Sequence, residues 1–212
     1  MTTINRTEFF NDYAHLEYLV QKALPELIRS FGYGIRKKLI VWSAGCSSGE
    51  EPYTLAMVLN EFAARYPGLG FQFLVLATEA SSDLIEIARA GIYEEKHISP
   101  IPMPMRKKYL LRSKDRIRQI VRITPELREV VKFRKADPGE GNLFFREPID
   151  IIFCRNVLHH MNQHEQESLL NDFYQHLVPG GYIFMGQSQD PADIHVPFVQ
   201  VAPTIYRKSV SR

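Results

Sequence analysis

Cysteine is scarce: Cys46 and Cys154 are the only two in 212 residues, and both fall at the ends of apolar runs. Two such residues make no disulfide framework, so a reducing cytoplasm is the expected setting. Long hydrophobic runs are missing too, none approaching the roughly eighteen residues that cross a bilayer. The N-terminal stretch MTTINRTEFFNDYAHLEYL mixes acids with apolar residues and lacks the basic-then-apolar layout of a signal peptide. There are no repeats and no low-complexity tracts. Hydrophobic residues at 45% and charged residues at 24% are ordinary values for a soluble globular chain. The expectation is one core domain carrying a small insertion, with no membrane insertion.

Net charge is only +2, yet it is unevenly spread. Residues 106–135 hold twelve Lys or Arg against three acids. Such a segment can meet an acidic protein surface, or it is simply a solvated basic face. Nucleic acid is the less favoured partner, because Tyr109 and Phe133 are the segment's only aromatics and base stacking needs more.

The stretch Leu39 to Met57, LIVWSAGCSSGEEPYTLAM, carries the most chemistry. Leu39, Ile40, Val41 and Trp42 suit a strand buried on both faces, and Ala44, Gly45, Ser47, Ser48 and Gly49 leave a turn with little side-chain bulk. An amphipathic helix follows at once, as in the first unit of a nucleotide-type α/β fold. Where such turns bind phosphates, free N–H groups and often a Lys meet the anion. Glu50 and Glu51 stand there instead. Two carboxylates repel a pyrophosphate and attract the sulfonium or ammonium of a cationic nucleoside, for which S-adenosylmethionine fits best. Two other readings stay open. Gly45 to Gly49 matches the G-x-S-x-G nucleophile elbow, with Ser47 as nucleophile and Asp190 and His195 completing a triad, although no HGGG-like oxyanion segment precedes it. The turn can also merely pack a helix on a sheet.

Along the chain, residues 8–31 read as helices interrupted near Pro25 and serve as a cap. Glu51 to Arg65 is a helix ended by Tyr66-Pro67-Gly68, and Phe73 to Ala77 a second buried strand. Asp83 with Glu86 forms a D-x-x-E cap for a helix running to Ala90, which Gly91 stops. Prolines 100, 102 and 104 and short alternating runs mark residues 92–128 as an insertion. Strands are expected again at Val130 to Phe133 and Ile149 to Cys154. Asn162 and Glu165 form a capping box before a helix bearing Leu169, Leu170, Phe173 and Leu177. Pro179-Gly180-Gly181 turns into the strand Tyr182 to Met185, and Thr204 to Lys208 is the last strand. Alternating strands and helices imply a mostly parallel sheet covered on both faces.

Several segments together resemble the CheR-type chemotaxis receptor glutamate methyltransferases. NRTEFF (5–10) is similar to that family's N-x-T-x-F-F segment, SAGCSSGEEPYTLAM to its first motif, ARAGIY (88–93) to its second helix end, FCRNV (153–157) to its fourth strand end, and LVPGGYIFMGQS (177–188) to the turn and strand beyond. The resemblance spans nearly the whole chain. It implies a Rossmann-like, doubly wound class I methyltransferase fold over residues 1–212, with a helical cap at 1–31 and the insert at 92–130. It implies S-adenosylmethionine as cofactor and S-adenosylhomocysteine as product. Asn5 and Thr7 would touch the methionine end, with Glu51 or Glu50 nearby. Glu79 would bind the ribose hydroxyls, Asp137 and Pro138 would face the adenine, and Arg155 and Asn156 would line the pocket floor beside Gly45. Members carry Arg where this chain has Asn11, Tyr at His160, Asp at Glu79 and Asn at Asp137. Asn11 and His160 would lie near the methyl group and its acceptor. The helical domain that members place before the catalytic domain, and use around receptors, has no counterpart in this sequence.

The acceptor decides the chemistry required. A Glu carboxylate, with a reference pKa near 4.3, is ionised at neutral pH and needs no base. A hydroxyl acceptor does need one, and His159 or His160 is placed to serve. A methyltransferase acting on an acidic protein surface such as a receptor helix is the first reading. One acting on a hydroxyl or small molecule, and a silent S-adenosylmethionine-binding module, are the alternatives.

Overall fold

The computed structural model describes residues 7–115, 117–136, 148–155, 157–158, 161–186 and 196–210. Its centre is β1 (Leu39–Ala44), whose six residues are all buried, as an unbroken apolar run requires when both faces of a sheet are covered. Parallel neighbours flank it: β2 (Phe73–Glu79) on one side and β7 (Ile149–Cys154) on the other. Beyond β2 lies β6 (Val131–Lys135), and beyond β7 lies β8 (Leu177–Met185), both parallel. The sheet is finished by β10 (Ile205–Lys208), antiparallel to β8, and β9 (Phe198–Ala202), antiparallel to β10. The order β6-β2-β1-β7-β8-β10-β9 reverses direction at β1. In open α/β sheets the crevice outside the carboxyl ends of the strands at such a reversal is where ligands bind.

Two apolar layers hold this sheet. On one face α3 (Glu50–Arg65) packs Leu55, Leu59 and Phe62 with the N-terminal helices α1 (Tyr13–Tyr18) and α2 (Leu24–Phe31) and with α4 (Ser82–Ala90). On the other, α7 (Gln163–His176) presents Leu169, Leu170 and Phe173, the last edge-on to Trp42 at 4.9 Å. Residues between α4 and β6 build a second sheet of their own, β3 (Ile92–Glu94), β5 (Ile120–Ile123) and β4 (Leu110–Arg112) in that antiparallel order, with α5 (Met103–Tyr109) and then α6 (Pro125–Glu129). No helix among the described residues is long and apolar enough to cross a membrane.

Four local expectations change. The N-terminal helix is not broken at Pro25; a π-helical turn, Leu19–Ala23, joins α1 to α2, and Pro25 sits in the first turn of α2. A proline has no N–H for the carbonyl four residues back, and the wider turn absorbs that loss. The cap of α4 is Ser81, whose hydroxyl accepts the Leu84 N–H, while Asp83 lies inside the first turn, where its charge still favours the helix dipole. Pro179-Gly180-Gly181 lies within β8 rather than before it: the partners jump from Ile149 with Leu177 to Ile151 with Tyr182, so the extra residues bulge out of the ladder. Strand β9 was not expected, because FVQVA shows no clean alternation of apolar and polar residues and is largely exposed.

Candidate functional site

The turn after β1 meets the ends of β2 and β7 at the reversal point, and three carboxylates converge there. Glu79, ending β2, accepts the Ser47 N–H at 3.0 Å through Oε2 and the Ser81 N–H at 3.1 Å through Oε1. Each of its oxygens keeps a further lone pair. It thus ties the first turn to the start of α4 without being that helix's cap. Glu50 opens α3 with its carboxylate buried, accepting from the Ser48 hydroxyl and, through Oε2, from the Thr7 hydroxyl, each at 2.8 Å. Glu51 is buried as well; Ser43 Oγ donates to one oxygen at 2.6 Å and Arg155 Nε to the other at 2.5 Å.

The charges do not balance. Arg155 is the buried guanidinium of this cluster, its Nε on Glu51 and its Nη1 on the backbone carbonyl of Asn11 at 2.6 Å. Glu50 and Glu79 form no ion pair among the described residues. Three carboxylates against one guanidinium leave the cluster negative. Cys46 lies in the middle of the turn, where burial first, and then the charges of Glu79, Glu51 and Glu50, push its thiol far up. An inert, protonated thiol follows, not a nucleophile.

Gly45 enters the turn with φ at 69°, and a Cβ there would lie 2.3 Å from Val157 Cγ2, so a side chain at this position meets both backbone strain and a clash. The Cys46 N–H donates to the Thr78 carbonyl at 2.9 Å, which holds the turn against β2. Asn11 comes to the site by its backbone, through Arg155; its side chain is exposed. Thr7, Glu50, Glu51, Gly45, Glu79, Arg155 and Asn11 are therefore brought together around one turn. Asn5, Asp137, Pro138, Asn156, His159 and His160 lie outside the described residues, as do Asp190 and His195 of the hydrolase reading.

Sequence reasoning missed several contributors. Ser43 is a polar residue in an otherwise apolar strand, and its burial beside Glu51 is the signal it offered. Thr54, one helical turn after Glu50, donates to the Glu50 carbonyl and accepts the Phe10 N–H. Tyr93, at the start of the second sheet, donates to the Ser48 carbonyl at 2.8 Å.

The family model described as "CheR methyltransferase, SAM binding domain" matches residues 5–204. The chemotaxis protein methyltransferase of Borreliella burgdorferi is 35% identical over 185 residues, covering 87% of this chain and 64% of that protein. Chemotaxis protein methyltransferase 1 of Pseudomonas aeruginosa is 34% identical over 209 residues, covering 97% and 74% respectively. The chemotaxis protein methyltransferase of Escherichia coli is 31% identical over 207 residues, covering 98% and 68%. The chain thus spans 64% to 74% of the length of these curated relatives. Among solved structures, the DszA carbon methyltransferase aligns with a TM-score of 0.46 at 16% identity, covering 82% of this chain and 35% of that one.

Proposed function

The chain belongs to the CheR methyltransferase family, and from that premise we propose that it transfers a methyl group from S-adenosylmethionine to a protein carboxylate, the glutamates of a receptor-like helix being the acceptor class. The whole of residues 1–212 acts as the catalytic domain in this reading, with 1–31 as a cap and 92–130 as an insert. The observation that carries it is the negative cluster at the turn. A sulfonium ligand is cationic, and Glu50 and Glu79 are carboxylates without an ionic partner among the described residues. Glu79 also keeps lone pairs for a ribose diol, which a carboxylate receives with two hydrogen bonds. A polyphosphate would meet repulsion at the same place.

S-adenosylmethionine, when bound, supplies an electrophilic methyl group on a charged sulfur. What the chain supplies is alignment and exclusion of water. In this reading Gly45 and Glu79 at the turn would hold the cofactor. Arg155 holds the backbone at Asn11, so the segment next to the acceptor is anchored to the same guanidinium that neutralises Glu51. A carboxylate acceptor arrives ionised at neutral pH and asks for no general base.

Calorimetry with S-adenosylhomocysteine, with ATP as the control, tests the ligand. Heat with the former and none with the latter is expected; the reverse overturns the reading. Glu79→Ala should weaken binding by roughly 1.5–3 kcal/mol, the range for hydrogen bonds to a charged group. Transfer of labelled methyl to glutamate-rich receptor fragments tests the acceptor class. Carboxyl methyl esters release methanol in mild base, so base-stable label would place the methyl elsewhere.

A further inference from the structure

His15 is a buried, ionisable residue that the mechanism above does not use. It is 2% exposed, its Nε2 is 2.7 Å from Thr204 Oγ1, and its ring meets Phe184 edge-on at 5.4 Å. Its Nδ1 is 3.2 Å from Asp12 Oδ2, close enough for an ionic contact but out of line for a hydrogen bond. Both partners are strained. Asp12 has φ at 62° and Thr204 at 58°, and Phe10, two residues before Asp12, has 55°. Non-glycine residues hold the left-handed region only where the surroundings over-determine them. Asp12 stands at the N-cap of α1 yet makes no side-chain cap; its carboxylate is turned to His15 instead.

Phe10 and Asp12 lie at the end of an N-terminal segment that is tied to the residues of the turn. Thr7 is tied to Glu50, the Phe10 N–H to Thr54, and the Asn11 carbonyl to Arg155. The next tie is Asp12 through His15 to Thr204, in the turn between β9 and β10. We infer that His15 is a positioning residue: with its side chain on Thr204 and its backbone N–H on the Asp12 carbonyl at 3.1 Å, it holds residues 7–12 at the ligand site by fastening them to the C-terminal hairpin.

Thr204 has one hydroxyl proton, and Pro203 carbonyl lies 2.7 Å away to take it, which leaves His15 donating from Nε2. The charged groups that face the ring are Asp12, Glu51 and Arg155. Burial is the largest influence and lowers the His15 pKa; Asp12 opposes it, Arg155 adds to it, and Glu51 opposes it.

The inference rests on the methyltransferase reading only for the probe, S-adenosylhomocysteine, and the experiment separates the two. Three variants are compared with the wild type by calorimetry and by hydrogen exchange of the Phe10 amide. His15→Ala should lower affinity about tenfold, the equivalent of one lost hydrogen bond, and should accelerate Phe10 exchange while core amides of β1 are unmoved. His15→Gln, whose amide reaches Thr204, should recover most of both. Thr204→Gly suits a φ of 58° and keeps the turn while deleting the hydroxyl, so it should behave like His15→Ala even where that variant folds poorly. Wild-type affinity and unchanged Phe10 exchange in His15→Ala or Thr204→Gly would overturn the inference. A wild type that binds no S-adenosylhomocysteine sinks the methyltransferase reading, and Phe10 exchange then still decides the role of His15.

Discussion

Arg155 is where the residue scale governs the site, because one guanidinium satisfies a buried carboxylate and a backbone carbonyl from different parts of the chain. Removing it leaves Glu51 charged and buried, and breaking such a pair from one side costs about 3–5 kcal/mol. Arg155→Met should therefore lose that much in urea unfolding, and the double change with Glu51→Gln should recover a good part of it; equal losses in both would mean the pair is not coupled. His15 gives a second, pH-dependent expectation. Its folded pKa lies below the ordinary 6.5 because of burial, so the unfolded chain binds the extra proton first as pH falls. The stability linked to His15 is thus present above 6.5 and is lost as pH drops from there through the folded value. The difference in melting temperature between wild type and His15→Gln should narrow or invert from pH 7.5 to pH 5.5, and a pH-independent difference would show that folding does not lower the His15 pKa. The two residues also mark how far the site could be read from sequence. Arg155 and the acids lie in short segments beside strand ends, so their types and places suffice. His15 meets a partner 189 residues away, which no local pattern announces.

Among the elements, those with a complete local signal were legible and those decided by the ladder were not. The capping box at Asn162 and Glu165 is present with both reciprocal bonds, at 3.0 and 2.8 Å. Asn162→Ala should lower stability by about 0.5–2 kcal/mol, read by chemical unfolding. At α4 the D-x-x-E pattern pointed two residues too far, since Ser81 holds the cap; Ser81→Ala should be the more harmful change and Asp83→Ala nearly neutral, the reverse order restoring the sequence expectation. Strand β1 was readable because burial on both faces demands an apolar run. The bulge in β8 was not, because Pro-Gly-Gly reads as a turn whether or not the strand resumes in register beside it. The π-helical turn before Pro25 belongs to the same class: the proline signals trouble, and only packing decides whether the helix breaks or widens.

At the scale of the whole molecule, an acidic turn sits in a chain whose insert is strongly basic, and under the proposed function a carboxylate acceptor has to approach the first in the field of the second. Part of that basic charge is already committed. Lys108 pairs with Glu61 at 2.8 Å, and the Tyr109 hydroxyl bonds the same carboxylate; burial, and then that bond, raise the Tyr109 pKa to about 12. Arg112 lies 3.6 Å from Glu95 and Arg118 3.4 Å from Asp115. Reversing those residues would disturb structure as well as field. Lys107 and Lys114 in the insert, and Lys132 on β6 at the end of the same basic run, are exposed, lie in none of these ion pairs, and are the better probes. If the insert steers an acidic acceptor, changing all three to Glu should slow productive encounter at low salt and flatten its dependence on ionic strength, since steering is screened over a Debye length of about 8 Å at physiological salt. Affinity for S-adenosylhomocysteine, set at the turn, should not move. The measurement is kcat/KM for methyl transfer to an acidic protein acceptor across a salt series. Identical profiles for the wild type and the triple variant would return the basic insert to an ordinary solvated face, and recognition of the acceptor would then have to come from groups at the turn itself.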